Sequence, residues 1–239
     1  MAGVAGRAVD FEGKPIAGAV VSVCGFACFG GKSGADGAFR VPLGANLAWN
    51  GFSFLVHGWP DHADYVVPLP TYSLEMNVGD LPVPLLPASD TSLPDDGGPG
   101  GTITAGPLTL GVPAGTKWDL TFEAIAAGAA GRKLRVAKVP LDKAPPFAAG
   151  AVVVLAMGPP SAKPSAKVSV SIDDAGGLPA GTAVELVVMI DDYLTVPNLA
   201  GTGRVAALGH VTAEGKVVSD AGEGLSEITW VAIRKMGSP

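Results

Sequence analysis

Residues 4 to 24 run apolar, then charged and broken, then apolar again: Val4 to Asp10, the punctuated DFEGKPIAG, and Ala19 to Cys24. Val20, Val21 and Val23 are β-branched and suit a pleated, half-buried surface, whereas Gly13, Pro15 and Gly18 mark the connection as a turn. The same grammar continues. Asp36-Gly37 predicts a hairpin into AFRVPL, where Phe39 and Val41 share a face and Arg40 takes the other. FSFLVHG and YVVPLP predict two more strands. MNVGDLPVPLL predicts an extended edge that closes this half, because Pro82 and Pro84 lack the N–H a central strand must donate.

In the second half GGTITAGPLTLGVPAGTKWDLTFEAI reads as strand, turn, strand, turn, strand. Its last part alternates Trp118, Leu120 and Phe122 with Asp119, Thr121 and Glu123, a period of two. AAGAAGRK is expected to be a loop, since each interior glycine costs a helix about 1 kcal/mol relative to alanine. KLRVAKV, AVVVLAM, AKVSVSI, AVELVVMI, RVAALGHV, KVVSD and EITWVAIRK follow, most of them separated by Gly, Pro or Asp. Short strands in that number predict an all-β chain of two tandem β-sandwich domains. ASDTSLPDDGGPG is polar, acidic and rich in breakers, too poor in apolar area to offset the entropy of ordering. The expected division is therefore a first sandwich at 1–87, a linker at 88–100 and a larger second region at 101–239.

Composition supports that picture. The chain has 239 residues, with 34 Gly and 21 Pro breaking its apolar material into short runs, and only 16% of its residues are charged. A formal charge of -6 offers no basic surface for phosphate backbones, so a nucleic-acid partner is not expected. The longest apolar stretch, Gly150 to Gly158, is far short of the roughly 20 residues of a spanning helix, so no membrane span is expected. The opening Met-Ala-Gly-Val-Ala-Gly-Arg shows no basic region leading into an apolar core, hence no visible secretory signal.

The first half resembles the carboxypeptidase regulatory-like domain, a transthyretin-like β-sandwich. The likeness lies in GRAVDFEGKPIAGAVVSV, SGADGAFRV and FSFLVHGW, over roughly residues 3 to 87. The departure is CGFACFGGKS, longer and cysteine-bearing where that family has a plain hairpin. The second half resembles the β-rich region that follows such modules in large bacterial surface proteins, and is distantly similar to ZU5-type domains, through GGTITAGPLTLGVPAGT, GLPAGTAVELVVMID and GTGRVAALGHVTAEGKVVSDAGEGLSEITW. Neither family carries a catalytic centre at these positions. Two tandem strand-rich modules suit a non-enzymatic structural or adhesive protein, and the expected function is a subunit or spacer of an extracellular, cell-surface or particle-associated assembly, with an intracellular or virion-like particle as the alternative location. Its partners would be other protein subunits, including copies of itself.

Three sets of side chains are candidates for chemistry. In HGWPDHADY, the donors His57, Asp61, His62 and Asp64 surround Trp59 and Pro60 and are of the types that bind zinc. A polar loop with one anchored aromatic explains the same residues with less. Asp95-Asp96, Asp173-Asp174 and Asp191-Asp192 are oxygen donors suited to calcium, but neighbours on a strand face opposite ways, which favours solvated strand ends. No cofactor is expected, calcium or zinc being the ions these donors would take. Trp49, Trp59 and Tyr65, within an aromatic stretch that includes Phe52 and Tyr72, would stack on sugar rings if exposed; alternating burial accounts for most of them. The alternative function is thus a carbohydrate- or divalent-metal-binding module. Cys24 and Cys28 are the only two cysteines. On one continuous strand they would stand about 13 Å apart, beyond the ~7 Å limit for a disulfide, so they can bond only if Gly25-Phe26-Ala27 folds back. A bond there would favour an oxidising compartment. No G-x-S-x-G, H-E-x-x-H or phosphate loop occurs, and GLSEITW around Ser226 has no mark of an activated nucleophile.

Overall fold

The computed structural model describes residues 3–25, 27–43, 52–69, 75–191 and 199–237, with the side chains of 52–54 left aside. They fall into two compact units. The first is Met1–Gly58, His62–Leu85 and Ile190–Thr202; the second is Trp59–Asp61, Leu86–Met189 and Gly203–Pro239.

The first unit contains β1 (Gly3–Val9), β2 (Val20–Cys24), β3 (Cys28–Lys32), β4 (Ala38–Pro42), β5 (Phe52–His57), β6 (Tyr65–Leu69) and β7 (Met76–Pro82). They form a three-stranded sheet, β4-β1-β7, and a four-stranded sheet, β3-β2-β5-β6. Alternation decides which side chains go inward: Val21 and Val23 on β2, Phe39 and Val41 on β4, and Val4, Ala8 and Val66 are all buried. The turn that opens the chain is held by one carboxylate, since Asp10 Oδ1 accepts the backbone N–H of Glu12 at 3.0 Å and of Lys14 at 2.8 Å. Gly37, in the Asp-Gly hairpin, has φ +76 and sits where a Cβ would meet Pro15 Cβ at 3.2 Å, so the position demands glycine twice over. β7 is an edge strand paired parallel to β1. As an edge it is blunted: the Asn77 side chain accepts the Gly79 N–H at 2.9 Å, and Pro82 has none to offer.

β3 was not foreseen. CGFAC folds back into a β2–β3 hairpin in which Cys24 pairs with Cys28, Cα–Cα 4.1 Å, and the two are disulfide-bonded. The ring spans only a sequence separation of 4, so it removes little freedom from the unfolded chain. Replacing both cysteines by serine is expected to lower stability by about 2 kcal/mol at most, measured by urea titration beside the reduced and oxidised wild type.

The second unit contains β8 (Gly101–Ala105), β9 (Leu108–Val112), β10 (Trp118–Asp119), α1 (Phe122–Ala126), β11 (Arg135–Lys138), β12 (Ala151–Gly158), β13 (Lys163–Pro164), β14 (Ser169–Ile172), β15 (Ala183–Met189), β16 (Gly203–Val211), β17 (Val217–Ser219) and β18 (Val231–Lys235). Nine of these strands form one antiparallel sheet, β11-β12-β18-β15-β16-β17-β14-β9-β8. It folds over on itself, because Leu108, Leu110 and Val170 from one end share a core with Leu155, Leu186 and Ile233 from the other. On β12, Val153, Leu155 and Met157 enter that core. Val154 and Ala156, on the opposite face, are also buried. Burial on both faces explains why AVVVLAM is apolar throughout instead of alternating. Phe147 covers part of that outer face, its ring edge-on to Trp230 at 6.4 Å between centroids.

Two expectations fail here. The period-two run 118–123 is a strand only at β10; from Phe122 it is a helix. Thr121 caps it, its hydroxyl accepting the Ala124 N–H at 3.3 Å, and Phe122 ends 80% exposed instead of inward. Residues 88–100, expected as a linker, are laid along the second unit. Leu93 is 2% exposed within its core. Its N–H donates to Arg132 O at 2.8 Å, Leu134 N–H donates to Thr91 O at 2.9 Å, and the Thr91 hydroxyl donates to Thr104 O on β8 at 2.7 Å. This short segment bridges the sheet's two ends, from β8 to the start of β11. A polar run can do so because its Leu93 N–H and Thr91 O are both bonded to backbone.

Candidate functional site

HGWPDHADY begins at the end of β5. His57 Nδ1 lies 3.4 Å from Asp64 Oδ2, and Asp64 Oδ1 accepts the Gly58 N–H at 3.0 Å. The intervening turn is tight: His62 N–H donates to Gly58 O at 2.8 Å, and a Cβ on Gly58 would stand 2.8 Å from Ala63 O. A carboxylate at Nδ1 orients the imidazole and is one half of an acid–base arrangement. The other half, an activated nucleophile, has no marker in the sequence around it.

Trp59, Pro60 and Asp61 belong to the second unit. The Arg135 guanidinium stands 5.7 Å from the centre of the Trp59 ring, donates to Pro60 O at 3.0 Å and reaches Asp61 Oδ1 at 3.4 Å. Gly158 is Arg135's partner across the β11–β12 ladder. A Cβ there would come within 2.6 Å of Trp59 Cε3, so the missing side chain is the slot that the indole fills.

The four proposed metal donors are thus engaged separately, His57 with Asp64 and Asp61 with Arg135, while His62 sits in the turn. Among the described residues, no three His, Cys, Asp or Glu side chains stand where they could hold one ion. Trp49, Tyr72 and Asp192 lie outside the described residues. Tyr65 is 6% exposed and offers no ring face to a sugar. The other acid pairs are also divided. Asp173 takes Lys216 at 2.7 Å, whereas Asp174 takes Lys138 and the Gly176 N–H. The hydrogen bond from Lys138, with that from Gly176, holds the Asp174 carboxyl below its usual range. Asp96 accepts the Trp118 N–H at 3.0 Å and faces Arg132 at 3.5 Å.

Burial pushes the Tyr65 phenol up to about 12 from its ordinary 10.0. Because the folded value is the higher one, the contribution to stability is intact below pH 10 and is lost as the pH rises from 10 towards 12. Denaturant titrations across that window are expected to show a steep loss of stability that Tyr65→Phe flattens, worth about 3 kcal/mol in all. Equal alkaline slopes for wild type and variant would refute it.

Three surface concavities lie among the described residues. One of about 360 Å³ is lined by Leu141, Ala144, Pro145, Pro146 and Ala149 among others. Another of about 290 Å³ surrounds Gly6, Arg7, Phe39 and Gly79 in the first unit. A third of about 260 Å³ lies on the sheet face among Thr102, Thr109, Ser169, Ser171 and Ser219. Arg7 and Asp80, paired at 3.5 Å, are the only charged groups lining the three. Sequence reasoning missed the Arg135–Trp59–Gly158 stack, whose one signal was a glycine ending a bulky apolar run.

No family model matches the chain, and no curated protein matches it. Among solved structures it is similar to a C-terminal interface mutant of a type II cohesin–X-dockerin complex from Acetivibrio cellulolyticus, at 14% identity and TM-score 0.29, over 41% of this chain and 66% of that one. A candidate carbohydrate-binding protein from Bacteroides uniformis matches at 9% identity and TM-score 0.29, over 98% and 99% of the two chains. The major pilin subunit of Bacillus cereus, in a D312A variant, matches at 10% identity and TM-score 0.22, over 100% of this chain and 60% of that one. At these identities and TM-scores the likeness transfers no residue role and no activity.

Proposed function

We propose that the chain is a non-enzymatic structural or adhesive protein, a subunit or spacer of an extracellular, cell-surface or particle-associated assembly. The observation that carries the reading is where the reactive side chains go. The candidate groups are taken up in separate pairs: His57 with Asp64, Asp61 and Trp59 with Arg135, Asp173 with Lys216, Asp174 with Lys138. Among the described residues, these groups do not gather where three of them could hold one ion. The carboxypeptidase regulatory-like resemblance of the first half and the ZU5-like resemblance of the second support the same reading, and the Cys24–Cys28 bond suits an oxidising compartment.

The test is association. Light scattering and electron micrographs of concentrated protein are expected to reveal oligomers or filaments, and a strictly monomeric particle overturns the reading. The alternative, a glycan- or divalent-metal-binding module, has less behind it because Tyr65 is buried and Arg135 occupies the Trp59 ring. Calorimetry against a glycan panel, with metal analysis of protein purified without chelator, separates the two.

A further inference from the structure

We propose that the Cys24–Cys28 bond is a redox-operated clasp on β3. Closed, it holds the N-terminal end of that strand on β2; reduced, it lets the stretch from Cys28 to Gly30 peel away while the rest of the first unit stays folded. The inference stands apart from the assembly reading.

Burial does not hold β3. No residue from Cys28 to Lys32 is buried, so the strand brings no fully buried side chain to the core. β3 ends its sheet, kept there by a ladder of five cross-strand pairs with β2 that runs from Val20 with Lys32 to Cys24 with Cys28. Gly30 and Gly31 weaken that ladder, because glycine regains more backbone freedom on release than any other residue.

The two ends of β3 are secured by different means. Just past its C-terminal end Ser33 is 6% exposed, and its hydroxyl accepts the Ala19 N–H at 2.9 Å and donates to Ile16 O at 2.6 Å. The Ser33 backbone adds a bond to Ala19 O and one from the Gly18 N–H, both at 3.0 Å. Gly31 is closely packed as well, since a Cβ there would stand 3.1 Å from Arg40 O on β4. The N-terminal end has the disulfide in that place. Fraying that starts at Cys28 is therefore expected to stop at Gly31.

Access favours the same end. Cys28 is exposed and Cys24 only 1% exposed, so a thiolate meets the bond from the Cys28 side. With a dithiol as reductant, its first sulfur bonds to Cys28 Sγ and Cys24 leaves as a thiolate that takes up a proton; its second sulfur then displaces Cys28. The dithiol ends as a cyclic disulfide and the protein with both cysteines as thiols. Because the ring closes over so few residues, the clasp acts on one strand and not on the whole unit. An oxidising compartment keeps it closed, and a compartment with a reducing thiol pool opens it. Opening bares the end of the β2 edge, Ser22 to Cys24, that β3 covers when the bond is closed.

The test uses the full chain without denaturant. Dithiothreitol should reduce the bond in the folded protein, with both cysteines trapped by iodoacetamide and a rate that does not rise with urea below the unfolding transition. Hydrogen exchange read by mass spectrometry should then be about tenfold faster than in the oxidised protein for peptides covering 20–31, and unchanged for peptides over 33–43 and over Phe52–His57. The double variant Cys24→Ser, Cys28→Ser should exchange like the reduced wild type with no reductant present. Reduction that proceeds only through global unfolding overturns the clasp, as does unchanged exchange over 20–31 after reduction. Acceleration spread evenly over the first unit overturns it too, since the bond would then be a staple of the whole unit.

Discussion

Trp59→Ala is expected to lower the stability of the second unit by about 2–4 kcal/mol in the absence of any sugar, somewhat below the range for a fully buried tryptophan because the ring is only partly covered. The loss has two sources. The indole leaves the slot above Gly158, and the Arg135 guanidinium loses the ring it stands against at 5.7 Å. Gly158→Ala should cost a similar amount for the converse reason, since its Cβ would fall 2.6 Å from Trp59 Cε3. Combining the two changes decides the matter. If the slot is what matters, alanine at 158 fills space that the indole has vacated, and the double variant should be less destabilised than the sum by about 1–2 kcal/mol. Strict additivity in denaturant titrations followed by circular dichroism would mean that Trp59 does not sit there. A tryptophan that binds glycan would instead leave stability unchanged and abolish calorimetric heats.

That residue marks the boundary of what the sequence reveals. Strand after strand was legible because alternation, β-branching and turn residues are local signals: β4 follows from Phe39 and Val41 flanking Arg40, and its hairpin from Asp36-Gly37. β3 was hidden because Gly30-Gly31 lacks any β signal, and its pairing was imposed by β2 next to it. At α1 two local signals conflicted. The alternation of Trp118, Leu120 and Phe122 suggested a strand, but Thr121 at the cap and the alanine-rich run behind it won from Phe122 onward. The candidate site was legible only as a composition. HGWPDHADY announced polar and aromatic groups, yet which partner each would take depends on Arg135 and Gly158, about a hundred positions away or less, and no local pattern encodes that. Membership is similarly long-range: Ile190–Thr202 falls in the first unit, where Gly201 packs on Pro68.

Leu93→Ala is expected to destabilise the second unit by about 2–4 kcal/mol, the cost of emptying a site that is 2% exposed. A solvated linker would return a value near zero, so the measurement distinguishes the two roles directly. Thr91→Val, which keeps the shape but removes the hydroxyl that donates to Thr104 O at 2.7 Å, should cost about 1 kcal/mol. Hydrogen exchange supplies a local readout. The Leu134 amide, bonded to Thr91 O at 2.9 Å, should be protected in the wild type and should exchange faster in Leu93→Ala, while amides on β15 change only with global stability. Rapid exchange at Leu134 in the native wild type would mean that the seam is open. The consequence bears on strand addition. At the ends of this sheet Thr104 O and the Leu134 N–H are already bonded to Thr91, and β7 in the first unit is blunted by Asn77 and Pro82, so strand addition at these groups is disfavoured.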